Sequence, residues 1–490
     1  MVPIGEKLFR NARRWLGAGM AVTLMGQITA WASVEVPAAS SENNWAEFLL
    51  RLDLPHPTVQ NLSKLLKTPV KALSHVDENL YKVVLPADFE QQSSVLESGL
   101  VSHVQKNFIY RPALLRIAGA PGYFAKPRTN DSESSLDPEI LNPDARPSNG
   151  ADPGLSKQWG IERTRTAEAW EVTRGSEDVV VAVIDSGVDY NHEDLRQNMW
   201  RNAGEVPGNG IDDDRNGFID DVVGWDFATN DPYPYDTTAD VAEGGNPGHG
   251  THCAGVIAAV GKNSRGISGV APHVRVMALR FIGENGEGST ESAIKAIKYA
   301  VKNGATILNN SWGGEDTEQE DAELKRVIKW AQDRGALLVF AAGNGREGIG
   351  YNNDTDAKPT LPASFDLEGI LSVAAIDRQD RLGSFSNFGV KTVDIAAPGV
   401  RIYSTVPKDR YEDRVSLMGM PVGDWSGTSM AAPHVAGAAA LIKSLNPQLT
   451  GLEIKDILIQ SARPLSNLRT KVAAGGTLDV MAALDVAQGR

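Results

Sequence analysis

Apolar runs of strand length alternate with helix-like segments from about residue 179 to the end of the chain. Val179 to Ile184 is an unbroken apolar run, which is typical of a parallel strand buried on both faces. Further strands are predicted at 274–279, 307–309, 337–341, 369–374 and 393–396, and helices at 291–303, 321–334, 451–462 and 478–487. The last-but-one helix begins with a Thr450/Glu453 capping box. This alternation predicts an α/β fold with a mostly parallel twisted sheet and helices on both faces.

The front part of the chain has a different pattern. Residues 33–118 contain one short amphipathic helical segment at 59–66 and strand-like alternation at 80–85 and within 101–110, which predicts a small α+β unit. Residues 119–154 are rich in Pro, Ser, Asn and Asp, as expected of an exposed linker, and we expect a maturation cleavage there. Residues 155–490 then form the main domain. The alternative is that the front unit is a permanent binding domain.

The N-terminus has the pattern of a secretory signal peptide. Four basic residues, the last being Arg14, precede a largely apolar stretch at 15–32 that closes on Ala30-Trp31-Ala32. This predicts a signal peptide over 1–32 and a secreted protein, extracellular or periplasmic. The alternative is an uncleaved membrane anchor, for which the stretch is barely long enough and contains Gln27.

Composition narrows the classes of partner. Lys and Arg number 48 against 62 Asp and Glu, and the resulting charge of −14 speaks against nucleic acid or an anionic membrane as the partner. An acidic balance suits solubility and cation sites. Cys253 is the single cysteine, so an intramolecular disulfide framework is excluded.

Three residues offer the chemistry of an activated nucleophile, in the order acid, base, nucleophile. Asp185 follows the apolar strand, His249 begins a helix-like run to Ala258, and Ser429 begins a small-residue helix that runs to about Leu445. A serine hydroxyl is a poor nucleophile at neutral pH, so an imidazole must take its proton and a carboxylate must orient that imidazole. The helix start also places the N–H of Ser429 in the positive end of the helix dipole.

The phrases around these residues resemble the subtilase family of serine endopeptidases. They are Val183-Ile184-Asp185-Ser186-Gly187-Val188-Asp189, His249-Gly250-Thr251-His252-Cys253-Ala254-Gly255 and the segment from Gly427-Thr428-Ser429-Met430 to Gly437. The resemblance extends from about 155 to 490 and implies a subtilisin-like fold, peptide-bond hydrolysis through an acyl-enzyme, and the amide of Asn344 as an oxyanion donor. It also implies that the front unit is an inhibitory prodomain. We expect the mature enzyme to be a monomer.

The resemblance also places the substrate. Family members lay an extended peptide along a segment like Asn310 to Gly314 by β-augmentation, which makes Ser311, Trp312 and Gly313 substrate-binding residues. The same resemblance implies that Thr360 helps to complete the S1 pocket, and because it is small and uncharged we expect an apolar or medium-sized P1 residue. Asp354 and Asp356 lie in a segment that does not match the family, and they leave a basic P1 residue open.

The insertion between Asp185 and His249 predicts a calcium site. Oxygen-bearing side chains at alternate positions, followed by Gly217, resemble the start of an EF-hand loop. Val223 stands where such a loop has its glutamate, so the acidic ligand is expected to be Asp220 or Asp221. The predicted ligands are Asp212, Asp214, Asn216, Phe218, Asp220 and Asp221. The alternative is a solvated acidic turn. The resemblance suggests a second calcium site at Asp194 and Asn263.

The sequence therefore predicts a secreted, calcium-stabilised serine endopeptidase that is made as an inhibited precursor. Its partners are polypeptide substrates and its own prodomain, which acts as an intramolecular inhibitor. Two rivals remain at this point: a catalytically silent peptide-binding protein on the same fold, and a dedicated processing protease instead of a degradative one.

Overall fold

The computed structural model describes residues 45–112, except 55, 88 and 90–98, and residues 150–489, except 237–247, 315–320 and 418–419. The predicted signal peptide at 1–32 and residues 119–149 of the predicted linker lie outside this description. Within these ranges no helix is long and apolar enough to cross a membrane.

The front unit is a four-stranded antiparallel sheet with one helix. Its elements are β1 Trp45–Leu52, α1 Val59–Leu66, β2 Ala72–Asp77, β3 Leu80–Pro86 and β4 Val101–Lys106, and the strand order is β2-β3-β1-β4. The helix begins where the Thr58 side chain accepts a hydrogen bond from the N–H of Asn61. Leu62 and Leu66 on its inner face pack with Leu50 of β1 and Val83 of β3. The helix at 59–66 and β3 confirm the sequence predictions, whereas β1 and β2 were not predicted.

The main domain is built on a nine-stranded sheet. In chain order its strands are β6 Val180–Asp185, β7 Gly224–Asp226, β8 Arg275–Arg280, β10 Ile307–Asn310, β12 Leu337–Ala341, β13 Ile370–Ile376, β14 Ile395–Pro398, β19 Arg463–Pro464 and β20 Gly476–Thr477. The spatial order is β19-β20-β14-β13-β12-β10-β6-β8-β7, and only β19 and β20 pair antiparallel. The predicted α/β fold with a mostly parallel sheet is confirmed.

Helices cover both faces of this sheet. They are α2 Trp159–Arg163, α3 Thr166–Ala169, α4 His249–Ala258, α5 Thr290–Lys302, α6 Ala322–Gln332, α7 Thr428–Leu445, α8 Gly451–Gln460 and α9 Val480–Gln488. Val181 and Val183 of β6 share one core with residues of α4 and α7, whereas the alternate residues Val180 and Ala182 share another with residues of α5 and α6. Side chains of a strand alternate between the two faces of its sheet, so β6 is buried on both sides as its apolar run predicted.

Among the described residues, three small sheets complete the fold. Two hairpins follow β14: β15 Ser404–Val406 with β16 Arg410–Glu412, and β17 Arg414–Leu417 with β18 Met420–Asp424. The third sheet joins the two units, because β5 Ile109–Pro112 of the front unit lies between β9 Gly288–Ser289 and β11 Trp312–Gly313 of the main domain.

Residues 150–154 of the predicted linker pack against the main domain. Gly150 forms a parallel bridge with Asn263. Asp152 is buried and accepts hydrogen bonds from the backbone N–H groups of Lys262 and Asn263, at 2.8 and 2.9 Å, and from the Ser268 hydroxyl. These contacts attach residues 150–154 to the main domain.

Candidate active site

Asp185 is the last residue of β6 and is fully buried at the carboxyl edge of the sheet. Its Oδ1 accepts a hydrogen bond from the N–H of Ser186 at 2.7 Å and lies 2.7 Å from Nδ1 of His249. Ligands of open α/β sheets bind at this edge. The carboxylate is thus held by its own backbone neighbour while it faces the imidazole.

Two glycines allow α4 to bring His249 onto the end of β6. A Cβ on Gly250 would lie 2.0 Å from the carbonyl oxygen of Gly187 and 3.1 Å from Cβ of Asp185, so only glycine permits this approach. Gly248 precedes the helix with φ +89°, in the left-handed region that favours glycine. The glycine after His249 is therefore required for the close contact between His249 and Asp185.

Ser429 lies in the first turn of α7 and is tied to Ser311 by two hydrogen bonds. Its hydroxyl donates to the carbonyl oxygen of Ser311 at 2.9 Å, and the Ser311 hydroxyl donates to the carbonyl oxygen of Ser429, also at 2.9 Å. The second bond has a cause in the sequence. Pro433 lacks the N–H that would bind the Ser429 carbonyl within the helix, so this carbonyl oxygen accepts from the Ser311 hydroxyl instead.

Cys253 shows that the three predicted residues converge. Its Sγ lies 3.5 Å from the carbonyl oxygen of Ser429, and ligand atoms of Asp185, His249 and Cys253 all lie within 4.8 Å of one another. Burial raises the pKa of the Cys253 thiol well above its ordinary value, so the thiol stays protonated. We therefore interpret Cys253 as a packing residue between α4 and α7.

Asp236 is a buried carboxyl group next to this pair that the sequence analysis missed. It accepts hydrogen bonds from the Ser186 hydroxyl at 3.1 Å and from the N–H and hydroxyl of Thr251 at 2.9 and 2.7 Å. Burial raises the pKa of Asp236 to about 7, while the bonds from Thr251 oppose that rise. Because Ser186 also accepts from the N–H of Gly250 at 2.9 Å, this network joins the end of β6 to the start of α4.

Asn344 is fixed from the same helix start that carries Ser429. Its Oδ1 accepts hydrogen bonds from the N–H and the hydroxyl of Thr428, at 2.8 and 2.9 Å. The Thr428 hydroxyl also accepts from the N–H of Gly343 at 3.1 Å. The loop after β12 and the N-terminus of α7 are thereby locked together.

The predicted substrate-binding residues line one edge next to Ser429. Trp312 and Gly313 form β11, and both pair with the backbone of the front unit. Thr360 adjoins this edge, because a Cβ on Gly313 would lie 2.7 Å from Cγ2 of Thr360. Its hydroxyl lies 3.1 Å from the hydroxyl of Tyr351 and accepts from Asn387 at 3.0 Å.

Asp354 and Asp356 have other partners. Asp354 accepts hydrogen bonds from the backbone N–H groups of Lys391 and Thr392. Asp356 forms an ion pair with Arg346, at 2.9 Å. These bonds hold both carboxylates to neighbouring loops.

In the predicted calcium loop, Asp212 and Asp214 lie together with an acid from outside the loop. Carboxylate oxygens of Asp212, Asp214 and Glu205 are within 4.8 Å of one another, and Glu205 was not predicted. Gly217 has φ +97°, so it makes the expected tight turn. Mutually repelling carboxylates at this spacing fit a hard cation with oxygen ligands.

The other predicted loop ligands lie around this group. The Asn216 amide donates to Asp214 and Asp221 at 3.0 and 2.9 Å. Asp221 is buried, which raises its pKa to about 6, and it accepts from the hydroxyl of Tyr299. The Asp220 carboxylate accepts hydrogen bonds from the backbone N–H groups of residues 209 and 210, at 3.0 and 2.9 Å. Phe218 packs its ring on Trp225 and Tyr299.

The second predicted calcium pair is also brought together. The Asn263 amide donates to Oδ1 of Asp194 at 2.5 Å, and the N–H of Ile267 donates to Oδ2 at 2.8 Å. Burial raises the pKa of Asp194 to about 7. Asp152 lies at the same loop and was missed, because the sequence placed it in the linker.

Comparisons with known proteins agree with this geometry. Residues 176–481, more than half of the chain, match the model of the subtilase family. A thermophilic serine proteinase of Bacillus sp. (strain AK1) is 36% identical over 313 residues, which are 64% of this chain and 63% of the relative. Thermitase of Thermoactinomyces vulgaris is 36% identical over 59% of this chain and 83% of its own length. Subtilisin-like protease 1 of Plasmodium berghei (strain Anka) is 30% identical over 67% and 53%.

The matched segment covers less than two thirds of the Bacillus and Plasmodium relatives. It includes Asp185, His249 and Ser429, together with the sheet that places them. The chain belongs to the subtilase family of serine proteases.

Proposed function

We propose that this chain is a serine endopeptidase whose reaction is carried by Asp185, His249 and Ser429. The observation that carries the proposal is the buried 2.7 Å contact of Asp185 with Nδ1 of His249, beside a serine at a helix start. Asp185 accepts a hydrogen bond from Nδ1–H of His249, and this keeps the imidazole in the tautomer whose Nε2 can accept a proton. His249 then removes the proton of Ser429 as Oγ attacks the substrate carbonyl carbon, and gives that proton to the leaving amine. Water releases the acyl group in the reverse sequence.

The negative charge on the carbonyl oxygen is stabilised by two donors. One is the backbone N–H of Ser429, at the positive end of α7. The other is the amide of Asn344. Because Thr428 binds Oδ1 of Asn344 through two donors, the amide is oriented, and its Nδ2 is the atom that would donate to a developing oxyanion.

The front unit is proposed as an inhibitory prodomain. Support comes from β5, whose backbone pairs with β11 and β9 on both sides, as a substrate strand would. A peptide substrate must displace β5 to reach the edge at Trp312 and Gly313. Cleavage within residues 113–149, between the two packed units, would free the mature enzyme from its prodomain.

Secretion through a signal peptide at 1–32 and stabilisation by Ca²⁺ complete the proposal. Glu205, Asp212 and Asp214 would hold the cation in the loop, with Asn216, Asp221 and the backbone around Phe218 nearby; Asp194 and Asn263 form the second candidate site. A bound cation would neutralise these carboxylates and add its binding free energy to that of folding. The positions of Asp354 and Asp356 favour an apolar or medium-sized P1 residue beside Thr360.

The experiment is fluorophosphonate labelling of the wild-type chain and of Ser429→Ala. The wild type should react at Ser429, and the variant should not react. Turnover of a peptide substrate should fall about a million-fold, the effect known for loss of the nucleophile in subtilisin, a relative. An active wild-type preparation that resists labelling would show that another residue carries the reaction.

A further inference from the structure

Tyr110 of the front unit fills a closed pocket in the main domain. Its side chain is fully buried, and its ring meets the ring of Trp312 edge-on, with centroids 5.2 Å apart. Phe281 and Ala293 belong to the same apolar cluster. The hydroxyl of Tyr110 donates to Oδ2 of Asp321 at 2.8 Å. The pocket is therefore apolar along the ring and ends in one buried carboxylate.

The carboxylate of Asp321 has four donors, and two of them belong to the front unit. The hydroxyl of Thr290 and the N–H of Leu324, both in the main domain, donate to it. The other two donors are Tyr110 and the side-chain amide of Gln105, the latter at 2.8 Å. Burial raises the pKa of Asp321, and these donors oppose the rise. When the front unit leaves, half of these hydrogen bonds are lost.

The register of β5 relates this pocket to the scissile bond. Pro112 lies opposite Trp312, and Arg111 lies opposite Gly313. Ser429 donates to the carbonyl of Ser311, so a substrate residue paired with Ser311 lies next to the nucleophile and is the P1 residue. Counting back along an antiparallel strand, the position of Tyr110 is three residues before P1, which is P4.

We infer that Asp321 is a specificity-determining residue of the mature enzyme, which selects substrates with tyrosine at P4. This inference rests on the proposed function. A tyrosine side chain at P4 packs its ring against Trp312, and its hydroxyl restores a hydrogen-bond donor to the Asp321 carboxylate. A phenylalanine of the same shape leaves the buried carboxylate short of a donor, and a site built to bind a hydroxyl rejects the analogue that lacks it.

The test compares two internally quenched peptides that differ only in tyrosine or phenylalanine at P4. The enzyme is obtained by processing of the full-length chain, and rates are normalised to the fluorophosphonate-labelled fraction. We expect kcat/KM to be about 10- to 100-fold higher for the tyrosine peptide, as for a hydrogen bond to a charged group.

Asp321→Ser should bring the ratio for the two peptides to within about threefold, because serine still caps α6 but lacks the charge and the reach of the carboxylate. Asp479→Ser is the matched control, since Asp479 caps α9 by accepting from the N–H of Ala482 and does not contact Tyr110. The control should keep the full preference.

A ratio near one in the parent enzyme, or an unchanged ratio in Asp321→Ser, overturns the inference while peptide cleavage upholds the proposed function. An equal loss of preference in Asp479→Ser also overturns it, because the effect is then general to helix capping. If neither peptide is cleaved and no label is taken up, it is the proposed function that fails.

Discussion

Arg51 should contribute much more than Arg111 to the association of the front unit with the main domain. Arg51 donates from Nε to both carboxylate oxygens of Glu323, at 2.9 and 3.0 Å, and from Nη2 at 2.6 Å. The Arg51 side chain is 11% exposed and that of Glu323 is fully buried. Arg111 pairs with Glu287 across the same boundary, but these side chains are 45% and 35% exposed.

The expected magnitudes follow from this difference in burial. Truncating one partner of a buried, hydrogen-bonded charge pair across an interface costs about 2–5 kcal/mol. Glu323 keeps Arg326 at 3.7 Å and lies in the first turn of α6, whose dipole favours a negative charge, so the lower half of the range applies. We expect Arg51→Met to weaken association by about 30- to 350-fold. Arg111→Met should weaken it by less than about fivefold, as for an exposed ion pair.

The assay uses the full-length Ser429→Ala chain with a specific cleavage sequence placed within 125–135, so that an added protease separates the two units and self-digestion cannot occur. The dissociation constant of the nicked complex is then measured by dilution in sedimentation equilibrium. Equal effects of the two arginine substitutions, or an effect below about fivefold for Arg51→Met, would refute the reasoning that burial makes the Arg51–Glu323 pair the stronger of the two.

Three further predictions concern the oxyanion site, the metal and a buried acid. Asn344→Ala should lower kcat about 100- to 1,000-fold with little change in KM, as for loss of one oxyanion donor; a change mainly in KM would make Asn344 a binding residue. In the Ser429→Ala chain, calcium at about 100 times its dissociation constant should add roughly 2.7 kcal/mol per site to the free energy of unfolding, more than magnesium does. In thermal unfolding, Asp212→Ala and Asp214→Ala should remove the contribution of the loop site to this response, and an unchanged response would place the calcium elsewhere, with Asp194 and Asn263 the next candidates. The pKa of Asp236 is raised to about 7 in the folded state. Above about pH 4 the unfolded state releases this proton while the folded state keeps it, so the free energy of unfolding falls as pH rises from about 4 to 7. Asp236→Asn should remove this loss, gaining up to about 1.4 kcal/mol per pH unit relative to the parent between pH 4 and 7 in denaturant titrations; a pH-independent difference would contradict it.

The sequence predicted most of what is local along the chain. The apolar run before Asp185 predicted the buried strand β6, and α4 spans the predicted range from His249 to Ala258. The Thr450/Glu453 capping box is present at the start of α8. Each of these features depends on residues within one or two turns of each other, or on one strand, so hydrophobic periodicity and capping chemistry are sufficient to predict them.

The contacts that the sequence did not predict join distant segments. Glu205 reaches Asp212 and Asp214 because the chain folds back over the 209–210 turn, and no spacing rule for a continuous loop includes it. Asp236 is a single acid between Tyr235 and Thr237, and only its burial against Thr251 of α4 distinguishes it from a surface aspartate. Tyr110 and Asp321 are 211 residues apart, and their contact depends on the pairing of β5 with β11. Such partners follow from tertiary packing and have no local signature.

The packing of residues 150–154 on one unit and of β5 on the other has a consequence for how activation depends on concentration. Under the proposed function, β5 competes with substrate at an effective concentration in the millimolar range as long as the connecting segment is uncut, whatever the protein concentration. A single cut between 113 and 149 leaves both ends held by their own contacts but turns the same competition into a bimolecular one. If the front unit is the inhibitor we propose, dilution alone then releases the cleft, so a chain nicked at high concentration would become active as its concentration falls.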